Sequence, residues 1–233
     1  MLLDNIKIFL DTADIFFIKK YRNDIAGITT NPTIMRKANI LDYKRFAQDA
    51  IEILYPKPIS LEVCSDDFEE MKKQARILSA WGDNVFVKIP ITNTKGESSE
   101  NIIQDLSREG IKLNITAIFT GEQVEIATQS LAEEGNFISV FAGRIADTGR
   151  SPLGLVEYAV EMADLFGQEV IWASTRETYN VYEAALIKCH IITITPSIMK
   201  KLSLSGMDLT EYSRETVEMF FTDAQKEGYK IEW

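Results

Sequence analysis

The sequence predicts an α/β chain folded as a single (β/α)₈ barrel of the TIM type, and three observations carry that expectation. Short apolar runs of strand character alternate with segments whose apolar residues recur at helical spacing, eight times in succession. No linker or shift in composition interrupts the alternation, and no GxGxxG or GxxxxGK[ST] motif supports an open nucleotide-binding sheet. With 233 residues, 45% of them hydrophobic, the chain can bury one large core. The expected domain is the whole chain, 1–233, with an extra C-terminal helix at about 208–227.

Ile6–Asp11 reads as the first strand, followed by Thr12 or Asp14 as cap of a helix carrying Ile15 and Ile18 on one face. Ile25–Thr29 is the second, and behind Thr30-Asn31-Pro32 a helix repeats the apolar spacing at Phe46, Ala50 and Ile53. Ile59–Val63 is the third, with Ser65 as cap of a helix bearing Phe68, Met71 and Ala75 and ended by Gly82. The fourth, Asn84 to Pro90, should end near Lys88, because the proline removes a ladder donor. Its helix carries Ile102, Ile103 and Leu106 and stops at Gly110. Lys112–Thr116 is the fifth, after which Thr120 and Gln123 have capping-box spacing ahead of Val124, Ala127 and Leu131. Phe137–Phe141 is the sixth; Ser151-Pro152 places a cap and a first-turn proline before Leu155, Val156, Ala159 and Ala163, with Gly167 closing. Glu169–Ser174 is the seventh strand, Thr175–Lys188 its helix, and His190–Ile194 the eighth strand. Leu209–Glu227 reads as an additional amphipathic helix with Val217, Phe220, Phe221 and Ala224 on one face.

Charge and composition exclude several function classes. A net charge of −10 argues against an extended nucleic-acid surface while leaving room for local basic pockets. No stretch resembles a bilayer-spanning helix, so no membrane partner is expected, and the N-terminus lacks the basic and small-residue pattern of a signal peptide. Two cysteines without a CxxC fit the reducing cytoplasm. The single histidine, His190, excludes any metal site or triad needing two, and its neighbours Ile191 and Ile192 favour a strand histidine over a catalytic base.

In a (β/α)₈ barrel the active site lies at the C-terminal ends of the strands. Those ends carry Asp11, Thr29-Thr30-Asn31, Glu62, Lys88, Asn114 with Thr116, Ser139 and Ser174, with Arg144 and Arg176 just beyond. One chemistry accommodates these types. A lysine amine at a desolvated strand mouth attacks a carbonyl and forms an iminium electron sink. One carboxylate moves protons on a hydroxyl, a second supports water loss, and short polar side chains orient a polyol. Two arginines and a serine hold a phosphate. Each residue alone has a blander reading: Lys88 snorkelling from an edge strand, Asp11 capping the first helix, Glu62 solvated at the rim, Arg144 paired with Asp147. Their joint placement on strand ends favours a site.

At these positions the chain resembles the small-subunit transaldolases and the closely related fructose-6-phosphate aldolases. The resemblance runs from Ile8 to about Met199 and rests on Leu10-Asp11-Thr12-Ala13, Thr29-Thr30-Asn31-Pro32, Val87-Lys88-Ile89-Pro90, Asn114-Ile115-Thr116, Gly143-Arg144-Ile145 and Ala173-Ser174. It implies a class I aldolase barrel with Lys88 as Schiff-base lysine and no metal or organic cofactor. It implies Asp11 as acid/base on the sugar C4 hydroxyl and Glu62 with Thr116 as a water-mediated proton relay. Thr30, Asn31, Asn114, Ser139 and Phe141 would face the dihydroxyacetone unit, and Arg144, Ser174 and Arg176 would clamp the phosphate. The expected partners are sugar phosphates and further copies of the chain, in a pentamer or decamer; the family resemblance implies exchange of C-terminal helices, and the alternative is a helix folded back on its own barrel.

Two positions separate the sister activities. The aldolases typically carry glutamine at the third-strand position and tyrosine at the end of the sixth strand, whereas this chain has Glu62 and Phe141, the transaldolase pattern. The expected activity is transfer of a dihydroxyacetone unit from sedoheptulose 7-phosphate or fructose 6-phosphate to glyceraldehyde 3-phosphate or erythrose 4-phosphate. An aldolase releasing free dihydroxyacetone and a catalytically silent sugar-phosphate-binding barrel are the alternatives. The polar loop Asn93–Ser99 beside the lysine is expected to bear on the choice of acceptor.

Overall fold

A computed structural model describes residues 5–132 and 134–231. Among them, eight parallel strands close into a barrel in sequence order: β1 (Lys7–Asp11), β2 (Gly27–Thr29), β3 (Ile59–Glu62), β4 (Val85–Pro90), β5 (Leu113–Ile118), β6 (Phe137–Val140), β7 (Glu169–Trp172) and β8 (Ile191–Ile194). The helices are α1 (Ile15–Tyr21), α2 (Pro32–Lys37), α3 (Tyr43–Leu54), α4 (Phe68–Ser79), α5 (Glu100–Arg108), α6 (Gly121–Ser130), α7 (Ala142–Ala146), α8 (Leu153–Leu165), α9 (Tyr179–Leu186), α10 (Pro196–Lys201) and α11 (Leu209–Glu227). The (β/α)₈ barrel expected from the alternation is the fold observed.

Compactness divides the chain into one unit up to Met199, which holds the barrel, and a second from Lys200 onward. In the second unit, Asp208 caps α11 by accepting from the Glu211 N–H, and Gly228 closes it in the left-handed region at φ +66°. The second unit, taken by itself, buries none of α11's residues.

The base of the barrel is a plug of large apolar side chains. Phe9, Phe137, Ile171, Ala173 and Ile191 pack together, with Phe86 stacked on Phe137 at 4.1 Å between ring centres. Gly27 is required here: a Cβ would stand 2.7 Å from the Phe9 ring. Because strand side chains alternate with period two, the residues two positions further along these strands also face the interior. Those residues are Asp11, Lys88, Ser139 and Thr193, so the plug ends where a polar layer begins.

Several boundaries differ from the sequence reading for identifiable reasons. β4 runs through Pro90 rather than ending near Lys88. The Ile91 N–H reaches the Thr116 carbonyl on the β5 side, so the Pro90 nitrogen faces β3, which has already ended at Glu62, and no ladder bond is lost. Helix α4 is capped by Asp67; Ser65 instead accepts from the Asp67 N–H one step earlier. Asp14, not Asp11, caps α1. Thr120 caps α6 as expected, while Gln123 reaches back to the Phe119 N–H rather than to Thr120 itself. Helix α9 starts only at Tyr179, because Asn180 Oδ1 accepts from both the Arg176 and Glu177 N–H groups and holds them in a turn.

Candidate active site

Lys88 stands on β4 with 5% of its side chain exposed, donating to the Thr30 carbonyl at 3.0 Å and paired with Glu62 Oε2 at 3.1 Å. The pairing follows from register, since Glu62 and Lys88 are directly opposed across β3 and β4, with Asn114 opposite Lys88 on the other side. Asp11 accepts from Thr29 Oγ1 at 2.7 Å, and Thr29 Oγ1 lies 2.6 Å from Thr193 Oγ1. Burial raises the Asp11 pKa above the ordinary aspartate range, although the Lys88 ammonium and the Thr29 hydroxyl both pull it down. A carboxyl so placed holds a proton more readily than a solvated one, as an acid/base group needs.

A network of neutral polar side chains adjoins these groups. Ser139 Oγ donates to Asn114 Oδ1 at 2.7 Å, and Asn114 Nδ2 donates to Ser60 Oγ at 3.0 Å, all three buried. Across β5, the pairing with β6 shifts between Ile115 and Ile118, and Ala117 adopts φ +59°. This bulge places both Thr116 and Ala117 on the cavity wall, which adjacent residues of a regular strand do not share. Thr116 Oγ1 is buried and has no hydrogen-bond partner among the described residues, leaving a free hydroxyl on a residue that lines the same cavity as Glu62.

The mouth holds two connected spaces. An inner chamber of about 80 Å³ is lined by Lys88 together with Asp11, Thr29, Asn31, Ser139, Phe141, Arg144, Ala173, Ser174 and Thr193. An outer vestibule of about 700 Å³ shares Asp11, Asn31, Phe141, Arg144, Ser174 and Thr193 with it and adds Glu62, Thr116, Arg176 and residues of α1 and α2. Arg144 and Ser174 thus border both spaces, and the cation nearest the lysine chamber is Arg144.

The arginine wall is shaped by a backbone contact. A Cβ on Gly143 would fall 1.7 Å from the Ser174 carbonyl oxygen, so only glycine permits the β6 and β7 loops to meet here. Ser174 itself takes φ +64°, a conformation unusual for a residue with a side chain. The Arg144 guanidinium lies 5.7 Å from the centre of the Phe141 ring. Asp147 pairs with Arg176, not with Arg144 as one blander reading held.

Most of the residues singled out in the sequence come together on these walls; Thr30 and Asn114 stand behind them. Thr30 Oγ1 donates to the Ser60 carbonyl while its own carbonyl anchors Lys88, and Asn114 orients Ser139 from below. Asn31 lines both spaces but also caps α2, its Oδ1 accepting from the Ile34 N–H at 2.9 Å. No residue of Asn93–Ser99 lines either space. That loop is tied to the β3 side instead, with the Thr94 N–H and hydroxyl both donating to Asp66. The short helix α2, which the sequence reading did not foresee ahead of the helix carrying Phe46 and Ala50, contributes Thr33, Ile34 and Lys37 to the vestibule.

Sequence reasoning placed Thr29 at a strand end but missed Ser60 and Thr193 as members of the polar layer. Ser60 lies two residues before Glu62, so the period-two alternation carried the signal. His190 precedes β8, its Nδ1 accepting from the Val170 N–H and its Nε2 3.0 Å from Asp164, away from the polar mouth. Among the described residues no cluster of His, Cys, Asp or Glu could hold a metal ion, and no helix is long and apolar enough to cross a membrane.

Comparison with known proteins bears on this arrangement. A model of the family described as Transaldolase/Fructose-6-phosphate aldolase matches residues 8–232. A probable transaldolase of Nitrosopumilus maritimus is 35% identical over 205 residues, covering 84% of this chain and 86% of that protein. Another, from Streptococcus pyogenes, is 38% identical over 201 residues, covering 84% and 90%. Among solved structures, deoxyribose phosphate aldolase from Aeropyrum pernix superposes with a TM-score of 0.56 at 12% identity, covering 87% of this chain and 90% of that one. N-acetylneuraminate lyase from Mycoplasma synoviae gives 0.55 at 10%, covering 96% and 83%. At those identities the likeness is one of fold alone.

Proposed function

The chain belongs to the transaldolase/fructose-6-phosphate aldolase family, and from that premise we propose that it is a transaldolase working through a Schiff base on Lys88. The observation that carries the reading is the Lys88 amine, buried in a small chamber between Glu62 and the Asp11 side, on a path leading outward past Arg144 and Ser174.

The chemistry follows from where protons can go. Glu62 takes a proton from the Lys88 ammonium, and the neutral amine adds to the ketose carbonyl. The carbinolamine hydroxyl leaves as water, protonated from Glu62 through a water that the free Thr116 hydroxyl can hold. Asp11 then removes the proton from the C4 hydroxyl; the C3–C4 electron pair moves into the iminium, and an aldose phosphate leaves as the enamine forms. Ser139, held by Asn114, faces the retained three-carbon unit. An acceptor aldose phosphate enters through the vestibule, the steps reverse, and water releases the new ketose phosphate. Arg144, Ser174 and Arg176 clamp the phosphate by charge-assisted bonds.

Glu62 and Phe141 support the transferase over the aldolase, because Phe141 lines the lysine chamber without a hydroxyl to order a water against the enamine. The donors proposed are sedoheptulose 7-phosphate and fructose 6-phosphate, the acceptors glyceraldehyde 3-phosphate and erythrose 4-phosphate, as in the pentose phosphate interconversions. The free thiols Cys64 and Cys189 support a reducing, cytoplasmic setting. Fructose 6-phosphate is incubated with and without erythrose 4-phosphate while glyceraldehyde 3-phosphate release is followed. Release that depends on the acceptor is the expected result; equal release without it points to the aldolase, and none at all to a silent binding barrel.

A further inference from the structure

We propose that Asp147 is a positioning residue of the phosphate clamp, gripping Arg176 across two loops so that its guanidinium is ordered before substrate arrives. This rests on the reading of the vestibule as a sugar-phosphate site.

The two arginines of that wall are not equivalent. Arg144 has no hydrogen-bond or ion-pair partner among the described residues and rests over the Phe141 ring. Arg176 is held in a two-pronged grip: Nε donates to Asp147 Oδ1 at 3.1 Å and Nη2 to Oδ2. Such a fork fixes the plane of the guanidinium as well as its place.

The two ends of the grip are anchored independently. Asp147 is the C-terminal cap of α7, its N–H bonded to the Gly143 carbonyl, and the Arg176 N–H is bonded to Asn180 Oδ1. The ion pair therefore bridges the two segments that Gly143 and Ser174 bring into backbone contact. It uses two of the guanidinium's five N–H bonds and leaves the others for an anion. An arginine without a partner samples many rotamers and must be ordered on binding; a gripped one is ordered already.

Asp147 also carries a negative charge that opposes an incoming phosphate. Orientation outweighs it, because the carboxylate is neutralised by the guanidinium it holds. Both side chains are about half exposed, so the pair adds little to folding stability. Removing it should therefore change binding while leaving the fold and the chemical step intact.

The test is steady-state kinetics on fructose 6-phosphate with erythrose 4-phosphate, in wild type, Asp147→Ala and Asp147→Glu. Asp147→Ala should raise KM for the phosphorylated donor roughly 5- to 10-fold with kcat within about twofold. Competitive inhibition by inorganic phosphate should weaken by the same factor, kcat/KM toward unphosphorylated fructose should not move, and Asp147→Glu should recover part of the loss. An unchanged or lowered KM in Asp147→Ala, with wild type active, overturns the proposal alone. A wild type that shows no preference for the phosphorylated donor overturns the clamp and this proposal with it.

Discussion

At the mouth of the barrel, polar side chains are buried: Lys88, Thr29, Ser60, Asn114, Thr116 and Ser139 all sit out of solvent. Along α11 the opposite holds, for Val217, Phe220 and Phe221 form an exposed apolar stripe, with Ala224 half-buried at its end. Burying polar groups and leaving apolar ones bare both carry a free-energy cost, so each region has to be explained by something beyond folding. They differ in what completes them. The mouth satisfies most of its own polar groups and leaves Thr116 Oγ1 and Arg144 open, which is the signature of a small-molecule site. The helix satisfies its ends but not its face, which calls for a covering surface.

The largest effect should come from Lys88→Met, which keeps similar bulk and removes the nucleophile. Turnover should fall below detection, and borohydride reduction with donor should give no adduct, whereas wild type should show one on Lys88 by mass spectrometry. An adduct on Lys95, or an active enzyme with none, sinks the assignment. Since the substitution leaves Glu62 without its cation, Lys88→Met with Glu62→Gln is the control that separates lost chemistry from lost stability.

Next in size is Asp11→Asn, for which loss of the proton-transfer group predicts a fall in kcat of roughly 10²–10⁴-fold. Burial raises the Asp11 pKa, so in the window between the unfolded value and the raised folded one the native state binds more protons than the unfolded chain. Stability from this group is therefore present at low pH and lost as pH rises through the folded pKa. Asparagine carries no charge and still accepts from Thr29, so at neutral pH the variant should melt no lower than wild type. A lower melting temperature would show that ionised Asp11 stabilises the fold. The acid limb of kcat/KM in wild type should also lie above the ordinary aspartate range.

The sequence disclosed the mouth better than its supports. Lys88, Glu62 and Asp11 were legible because each is a charged residue at or near the C-terminal end of an apolar strand. Ser60 and Thr193 were not, because a small neutral side chain inside a strand reads equally well as packing; their place in a polar layer depends on which face the closed barrel turns inward. Helix α2 was missed because six residues with one buried side chain leave no periodicity to read. The Asn93–Ser99 loop misled for the reverse reason: its polarity is directed at Asp66 and at itself, with Asn93 Oδ1 accepting from the Lys95 and Glu97 N–H groups. The bulge that aims Thr116 had no marker, since alanine at position 117 does not advertise a positive φ.

For α11 the expected cover is a second copy of the chain. Deleting residues from Leu209 onward should reduce the mass seen by light scattering by several subunits, not only by the deleted segment. Phe220→Asp with Phe221→Asp should act in the same direction while keeping the helix. A mass per particle unchanged apart from the deletion would show that the stripe does not hold copies of the chain together.

The smallest effect, and the one that bears on the kind of enzyme this is, concerns Phe141. The ring lines the chamber of Lys88, packs 5.7 Å from Phe119 between ring centres and carries Arg144 over its face. A tyrosine there would direct its hydroxyl toward cavity space or toward the aromatic neighbour. In the first case it can order a water near the enamine and assist its protonation, so Phe141→Tyr should raise donor cleavage without acceptor by a few-fold. Adding Glu62→Gln should raise it further, because the neutral amide removes a carboxylate 3.1 Å from the amine and gives the aldolase pattern at both positions. In the second case the hydroxyl is buried without a partner, stability falls by about 1–3 kcal/mol, and no new cleavage is seen. The ratio of acceptor-free to acceptor-dependent glyceraldehyde 3-phosphate release, measured beside the melting temperature in wild type and both variants, separates the two. A wild type that already cleaves fructose 6-phosphate freely would mean that a phenylalanine at this position does not keep the enamine waiting, and the transferase reading would give way to the aldolase.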